Sequence, residues 1–411
     1  MLKKLLNISL SVIFSFSAFS CNRTPLELET STITQETNNL EVQNISKQLV
    51  VRFKSKVNES FIENFANSIN ANVVNFSTRI NTAVFGFSSN LEASQKINEL
   101  SSNNLIDYAE PNYTYTNKYT VSDPKSKEQQ GLAIAGLAKA WDITFGDPNI
   151  IIAVIDTGVD LKHPDLKNKL VPGYNVLTGG KTPPLDDNGH GTHAAGIAGA
   201  ETNNKLGIAG TAPRCRIMPI KALDKVGNGN LFDVSLGIIW AVDHGARVLN
   251  LSLGGPNGKT LERAIQYALM KNVVVVAAMG NDGKNKKAYP AAFKGVISVG
   301  SIDFDKTRSS FSNYGDWISV VAPGSNILST MPTYETTMTE FEKEKEYDYL
   351  DGTSMATPIV SGIVALMLSR NPNYTPAEVK SRLESTAIDL GKKGYDIEYG
   401  YGLVNAAKAV L

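Results

Sequence analysis

Three short segments of this chain carry residue types that could do nucleophilic chemistry together. They are Asp156-Thr157-Gly158, His190-Gly191-Thr192-His193 and Gly352-Thr353-Ser354-Met355-Ala356-Thr357-Pro358. A serine hydroxyl is a weak nucleophile at neutral pH and needs an adjacent base to take its proton. A histidine can serve if a buried carboxylate fixes its tautomer and stabilises the imidazolium that forms. Taken singly, Asp156 and Ser354 read as ordinary helix caps, and a lone His190 reads as structural. A serine at the start of a helix has one further property: unpaired N–H groups and the positive end of the helix dipole lie beside it. Both favour an anion formed when that serine attacks a carbonyl.

The elements that must position these residues are legible as apolar runs. Ile150 to Ile155, Ile217 to Ala222, Val248 to Ser252, Val273 to Ala278, Val296 to Val299 and Ile318 to Ala322 are short and almost wholly apolar. Helical patterns such as Asp233 to His244 and Leu261 to Lys271 lie between several of them. Continuous apolar strands separated by helices predict an α/β domain over 121–411, a parallel sheet with helices on both faces. Active sites of such sheets form at the carboxyl ends of the strands, which is where Asp156 falls. The small-residue segment His193 to Ala200 and the segment Ser354 to Arg370 predict helices that carry the other two groups.

Upstream, residues 47–116 read as strand, helix, strand, strand, helix, strand. Leu49-Val50-Val51-Arg52-Phe53 opens this unit, Phe61, Ile62, Phe65 and Ile69 recur at helical spacing, and Ile106 to Glu110 closes it. That order predicts a small α+β ferredoxin-like domain, a fold that by itself specifies no function. Residues 22–46 are polar, without apolar period, and read as a solvated spacer. Residues 1–21 have Lys3 and Lys4, an apolar stretch from Leu5 to Phe19, then Ser20-Cys21, the form of a secretory signal. Ordinary cleavage and lipid attachment at Cys21, as in bacterial lipoproteins, are both open from these residues.

With 40 basic and 40 acidic residues in 411 the formal charge is zero, so no nucleic-acid partner is suggested. Only Cys21 and Cys215 are present, so no disulfide framework holds the fold. Cys215 reads as a small buried strand residue. His193 lies three residues after His190, but the His-Glu-x-x-His of a zinc protease is absent, and His193 reads as structural. His163 and His244 have no catalytic context and are expected at the surface or in loops.

The three motifs, in the chain order Asp, His, Ser and with their small flanking residues, resemble those of the subtilisin-like serine proteases, thermitase-like in pattern. The resemblance runs from Lys47 to Leu411. It implies a secreted serine endopeptidase, with Asp156, His190 and Ser354 as triad and Asn281 in Gly280-Asn281-Asp282-Gly283 as oxyanion donor beside the Ser354 N–H. It also implies that Ser252, Leu253 and Gly254 pair with an extended substrate, and that Ala278 and Gly280 line the specificity pocket with Ala288 at its base. One structural Ca2+ is implied, held by Asp123, Asp165, the Asn204 side chain and the carbonyls of Glu201, Leu206 and Ile208; an ordinary Asn-rich loop is the rival reading there. The domain at 47–116 resembles the inhibitory propeptide of the family, against an independent peptide-binding domain.

The implied partners are protein or peptide substrates and the chain's own propeptide, with a monomeric mature enzyme and, if Cys21 is lipidated, a membrane-anchored precursor. The rival class is a catalytically silent or externally activated binding protein on the same scaffold. Two departures from the family stand out. Met279 replaces a small residue and is expected to narrow the cleft wall. Thr333 to Asp351, with Glu340-Phe341-Glu342-Lys343-Glu344-Lys345-Glu346, is longer than the corresponding loop and reads either as a solvated loop or as part of the leaving-group side of the cleft.

Overall fold

The computed structural model describes residues 47–113 and 120–411, which divide into two compact units within 1–115 and 116–411. Residues 1–46, where the sequence predicts a secretory leader, Cys21 and a polar spacer, lie outside the described residues.

In the first unit β1 (Gln48–Phe53), β2 (Asn72–Ser77), β3 (Thr82–Gly86) and β4 (Ile106–Pro111) form an antiparallel sheet in the order β2-β3-β1-β4. Helices Glu59–Ser68 and Asn90–Ser101 complete the ferredoxin-like order. Each helix starts where its sequence supplies a cap. Asn58 accepts from Phe61 N and Ser89 from Glu92 N, while Glu92 accepts back from Ser88 N. Alternation in β1 sends Leu49, Val51 and Phe53 inward, where Phe53 meets Phe65 edge-on at 5.2 Å. Burying each such side chain contributes roughly 1.5–3 kcal/mol, enough for a unit this small to hold a core of its own.

The second unit is built on a parallel sheet in the order β11-β10-β9-β8-β5-β7-β6. Its strands are β5 (Ile151–Asp156), β6 (Tyr174–Asn175), β7 (Arg216–Lys221), β8 (Val248–Leu251), β9 (Val274–Ala278), β10 (Ile297–Ile302) and β11 (Val320–Pro323). Pleating explains the continuous apolar runs. In β5, Ile152 and Val154 enter one core while Ala153 and Ile155 enter the other, and every one of them is fully buried. Helices Leu231–Asp243 and Lys259–Met270 cover one face. Helices His190–Gly199 and Thr353–Arg370 cover the other. The latter is apolar enough by composition to span a membrane, but 83% of it is buried as the core helix of this face. A hairpin of β12 (Ile327–Thr330) and β13 (Tyr347–Leu350) lies outside the main sheet.

The helices that carry the chemistry are rich in small residues because they pack very closely. A Cβ on Gly362 would fall 2.4 Å from Thr211 Cβ. Replacing a mid-helix glycine with alanine ordinarily stabilises by about 1 kcal/mol, but overpacking costs about 1–3 kcal/mol. At 2.4 Å from a β-branched neighbour the second effect wins. Gly362→Ala is therefore expected to lower the thermal midpoint by several degrees. An unchanged or raised midpoint in calorimetry would contradict this packing.

Candidate active site

Asp156 is the last residue of β5, and its carboxylate is fully buried. Its Oδ1 accepts from Thr157 N at 2.8 Å and from His190 Nδ1 at 2.8 Å, while Oδ2 is buried with no protein partner. His190 opens its helix directly after Gly189, whose φ of +121° suits glycine alone. Burial by itself disfavours the imidazolium, but the charge and hydrogen bond of Asp156, with a further contribution from Asp186, overcome it, so the His190 pKa lies above its ordinary value.

Asp186 was not singled out from the sequence, yet it is the hub of this corner. Fully buried, it accepts through Oδ1 from Thr157 Oγ1, Asn188 N and Gly189 N, and through Oδ2 from Thr192 N and Oγ1. Five donors on one carboxylate fix the turn that delivers His190. The Asp-Asp-Asn-Gly run before the histidine was the available signal, since such residues make side-chain-capped turns.

Ser354 is the second residue of its helix. Its Oγ donates to Ser252 O at 3.0 Å, and Ser252 Oγ donates to Ser354 O at 2.7 Å. Behind this exchange Asn250 Nδ2 donates to Ser252 Oγ and Ser361 Oγ to Asn250 Oδ1, a buried polar chain tying the helix to β8. Asn281 accepts through Oδ1 from Thr353 N at 2.9 Å and Thr353 Oγ1 at 2.8 Å. With the oxygen committed, the Nδ2 donor is left for the cleft. A Cβ on Gly352, at φ +150°, would lie 3.2 Å from that nitrogen, so a glycine keeps the space open.

The substrate-side residues converge on two cavities. One, of about 490 Å3, takes Leu253, Gly254, Ala278, Gly280, Asn281, Ala288 and Ser354. The other, of about 580 Å3, takes His190, Ser252, Leu253 and Gly254 with Leu223 and Met338. Gly254 is exposed along the shared edge.

Several expectations need correction. Met279 does not narrow the cleft; one residue beyond β9 it turns into the core and is fully buried. His163 is in a loop but is fully buried, accepting from Asp165 N through Nδ1 and donating from Nε2 to Glu346 O. His244 is exposed as expected, stacked on Trp240 at 3.7 Å. His193 is structural as expected: fully buried, it donates from Nε2 to Asp348 O, and burial holds its pKa down at about 3. Cys215 is a buried free thiol whose pKa burial raises.

The residues expected around a cation also gather in one place. Asp123 and Asp165 are both buried, and Asp123 is pushed above the ordinary carboxylate range by burial first and by the Asp165 charge. Asp123 accepts from Asn203 N and Lys205 N, and Asp165 from Asn204 Nδ2, Ile208 N and Tyr347 Oη. Among the described residues, the carbonyls of Glu201, Leu206 and Ile208 accept no hydrogen bond from the protein. Also among the described residues, no group of three or more His, Cys, Asp or Glu side chains converges to hold a metal.

A buried carboxylate bonded to a histidine, and a helix-start serine bonded to the residue that follows β8, are residue types that nucleophilic hydrolysis uses. Comparison with known proteins narrows the class. Residues 147–402 match the subtilase family, residues 31–112 match the fervidolysin N-terminal prodomain, and the chain belongs to the subtilase family. It is 40% identical over 369 residues to the thermophilic serine proteinase of Bacillus sp. (strain AK1), covering 89% of this chain and 88% of that one. It is 43% identical over 294 residues to thermitase of Thermoactinomyces vulgaris, covering 71% of this chain and 99% of that one. Among solved structures, fervidolysin from Fervidobacterium pennivorans superposes with a TM-score of 0.64 at 32% identity, over 88% of this chain and 60% of that one. The protein is accordingly a serine protease with a fervidolysin-type prodomain.

If His190 is the base of this protease it must be neutral to act, so activity falls as pH drops through its pKa. Because Asp156 and Asp186 raise that pKa, the acid limb of kcat/KM should lie above the usual ~6.5 of histidine. A limb below that value would show that the carboxylates do not govern His190. Asp156→Asn should lower kcat on the order of 10⁴-fold, by favouring the wrong tautomer.

Proposed function

We propose that Ser354 attacks the peptide carbonyl, His190 takes its proton and passes it to the leaving amine, and Asp156 orients His190 and stabilises the imidazolium. The observation that carries this reading is the 2.8 Å bond from His190 Nδ1 to Asp156 Oδ1, which leaves Nε2 as the nitrogen to receive a proton. Ser354 Oγ donates to Ser252 O, and catalytic hydrogen bonds often tighten only once substrate is bound. The Ser354 N–H and Asn281 Nδ2 stabilise the oxyanion, a donor worth about 10²–10³ in kcat.

Substrate lies along Ser252, Leu253 and Gly254 as an added strand, held through main-chain hydrogen bonds that read side chains weakly. Ala278, Gly280 and Ala288 leave room for a sizeable apolar side chain at the residue whose carbonyl is attacked. The prodomain acts as an intramolecular inhibitor removed by cleavage near residues 113–122. The leader directs secretion. If Cys21 carries lipid, the anchor lies upstream of the prodomain, and maturation frees the catalytic unit as a monomer.

The loop at Asp123, Asp165, Glu201, Asn204, Leu206 and Ile208 suits Ca2+, which favours six to eight oxygens drawn from carboxylates and carbonyls. Two buried carboxylates that repel one another, together with three carbonyls that accept no hydrogen bond among the described residues, support that reading. The Asn204 amide, which here donates to Asp165 Oδ1, would have to turn its oxygen inward. Bound there, the ion neutralises the two carboxylates.

Intact mass and N-terminal sequence of wild type and Ser354→Ala test the main reading. Loss of roughly the first 113–122 residues in wild type alone is expected; normal maturation of the variant would contradict the triad. Chelation should lower the thermal midpoint of Ser354→Ala protein. The sign of the pH effect follows from Asp123, whose folded pKa is raised. Its ionised form costs stability at neutral pH without the ion, so the gain from added Ca2+ should shrink as pH falls into the carboxylate range. A gain that is constant with pH, or that survives Asp123→Asn and Asp165→Asn, would place the ion elsewhere.

A further inference from the structure

Residues 331–351 form an ordered strap between β12 and the nucleophile helix. Its ends pair as β12 with β13, from Ile327 opposite Leu350 to Thr330 opposite Tyr347. From its middle, three donors reach three successive carbonyls just ahead of His190. Tyr334 Oη donates to Asp186 O at 2.8 Å, Thr337 N to Asp187 O at 3.2 Å and Met338 N to Asn188 O at 3.0 Å. Thr333 adds bonds from N and Oγ1 to Asp160 Oδ2. Two buried histidines hold the returning arm, His163 by Glu346 O and His193 by Asp348 O. The charged composition of the segment thus conceals a pinned element.

What the strap presents at the cleft is Met338. A Cβ on Gly189 would lie 3.2 Å from Met338 Sδ and 3.3 Å from its Cβ, so the thioether rests on the peptide that precedes His190. The same side chain lines the cavity of about 580 Å3 that contains His190, Leu223 and Leu253. An extended substrate along Ser252 to Gly255 turns successive side chains to opposite faces. If the residue whose carbonyl is attacked fills the Ala278–Gly280 cavity, the residue before it faces the His190 cavity.

We propose that Met338 is a specificity-determining residue, forming a fixed wall beside His190 that limits the size of the substrate side chain immediately preceding the attacked residue. The inference rests on the assignment of Ser354 and His190 above. Because its main chain is bonded to Asn188 O and its sulfur packs on Gly189, Met338 is not free to swing aside as a loop residue would.

The test uses purified mature enzyme and a series of peptide anilides that differ only at that position, from Ala through Leu to Phe and Trp. Active sites are first titrated with a fluorophosphonate. Even one methylene more or less in an apolar pocket alters kcat/KM by about 10–200-fold. Met338→Ala should therefore raise the Trp-to-Ala ratio of kcat/KM by at least about 10-fold, and Met338→Phe should lower it comparably. A ratio unchanged in both variants, with normal titration, would overturn the proposal. So would a fall shared equally by all peptides, which would make Met338 a prop for His190. Failure of wild-type protein to react with the fluorophosphonate would instead remove the catalytic assignment, and the inference with it.

Discussion

The fully buried carboxylate of Asp156 is the constraint around which the site is organised. An uncompensated charge at 0% exposure is prohibitive, and one of its oxygens has no protein partner. The compensation is a main-chain N–H and the His190 ring on the other oxygen. The same deficit that makes the site costly to assemble makes an imidazolium welcome there, which is the charge state reached when His190 has taken a proton. Removing one partner of such a pair leaves the other stranded, so the fold around it is specified closely. Asp186, itself buried, spends its five hydrogen bonds on the turn that delivers His190, and adds to the same field.

Seen from Ser354, the arrangement answers a second difficulty. A helix of small residues packs closely enough to bring Ser354 to the edge of β8, but small residues supply little burial per residue. The buried chain Ser361, Asn250, Ser252, Ser354 replaces some of that with satisfied polar contacts. A network with every member bonded rigidifies, whereas a partly satisfied one destabilises. The consequence is that the Ser354 backbone and the Asn281 side chain are both held in place, Asn281 by Thr353.

Much of this was legible in the sequence. Parallel strands announce themselves as continuous apolar runs because both faces are buried, and each predicted run fell within a residue or two of its strand, except that β10 extends on to Ile302 and β11 begins at Val320. The triad candidates stood out through motif and order. What escaped was whatever depends on contacts distant along the chain. Asp186 looks like a turn residue until its partners at Thr157 and Thr192 are known. Met279 looked like a cleft residue because it adjoins one, yet a single step along a pleat reverses the face. His163 lacks any local sign of burial, since the groups that enclose it come from Glu346 and Tyr347, far downstream.

The strap shows how such distant contacts set the response to acid. His163 and His193 are both held neutral by burial and both donate to strap carbonyls. A histidine whose folded pKa is depressed stabilises the fold fully above its unfolded value, near ~6.5, and loses that contribution as pH falls below it. His190 behaves oppositely, since its raised pKa favours the folded state below that value and the advantage is lost as pH rises through the folded pKa. The two buried histidines anchor β13, whose Tyr347 also bonds Asp165 and lies against Gly207. Protonation of His163 or His193 therefore works against two of the bonds that anchor β13, while protonation of His190 is favoured beside Asp156. The strap that places Met338 beside Gly189 is thus tied down by two buried histidines distant from it along the chain.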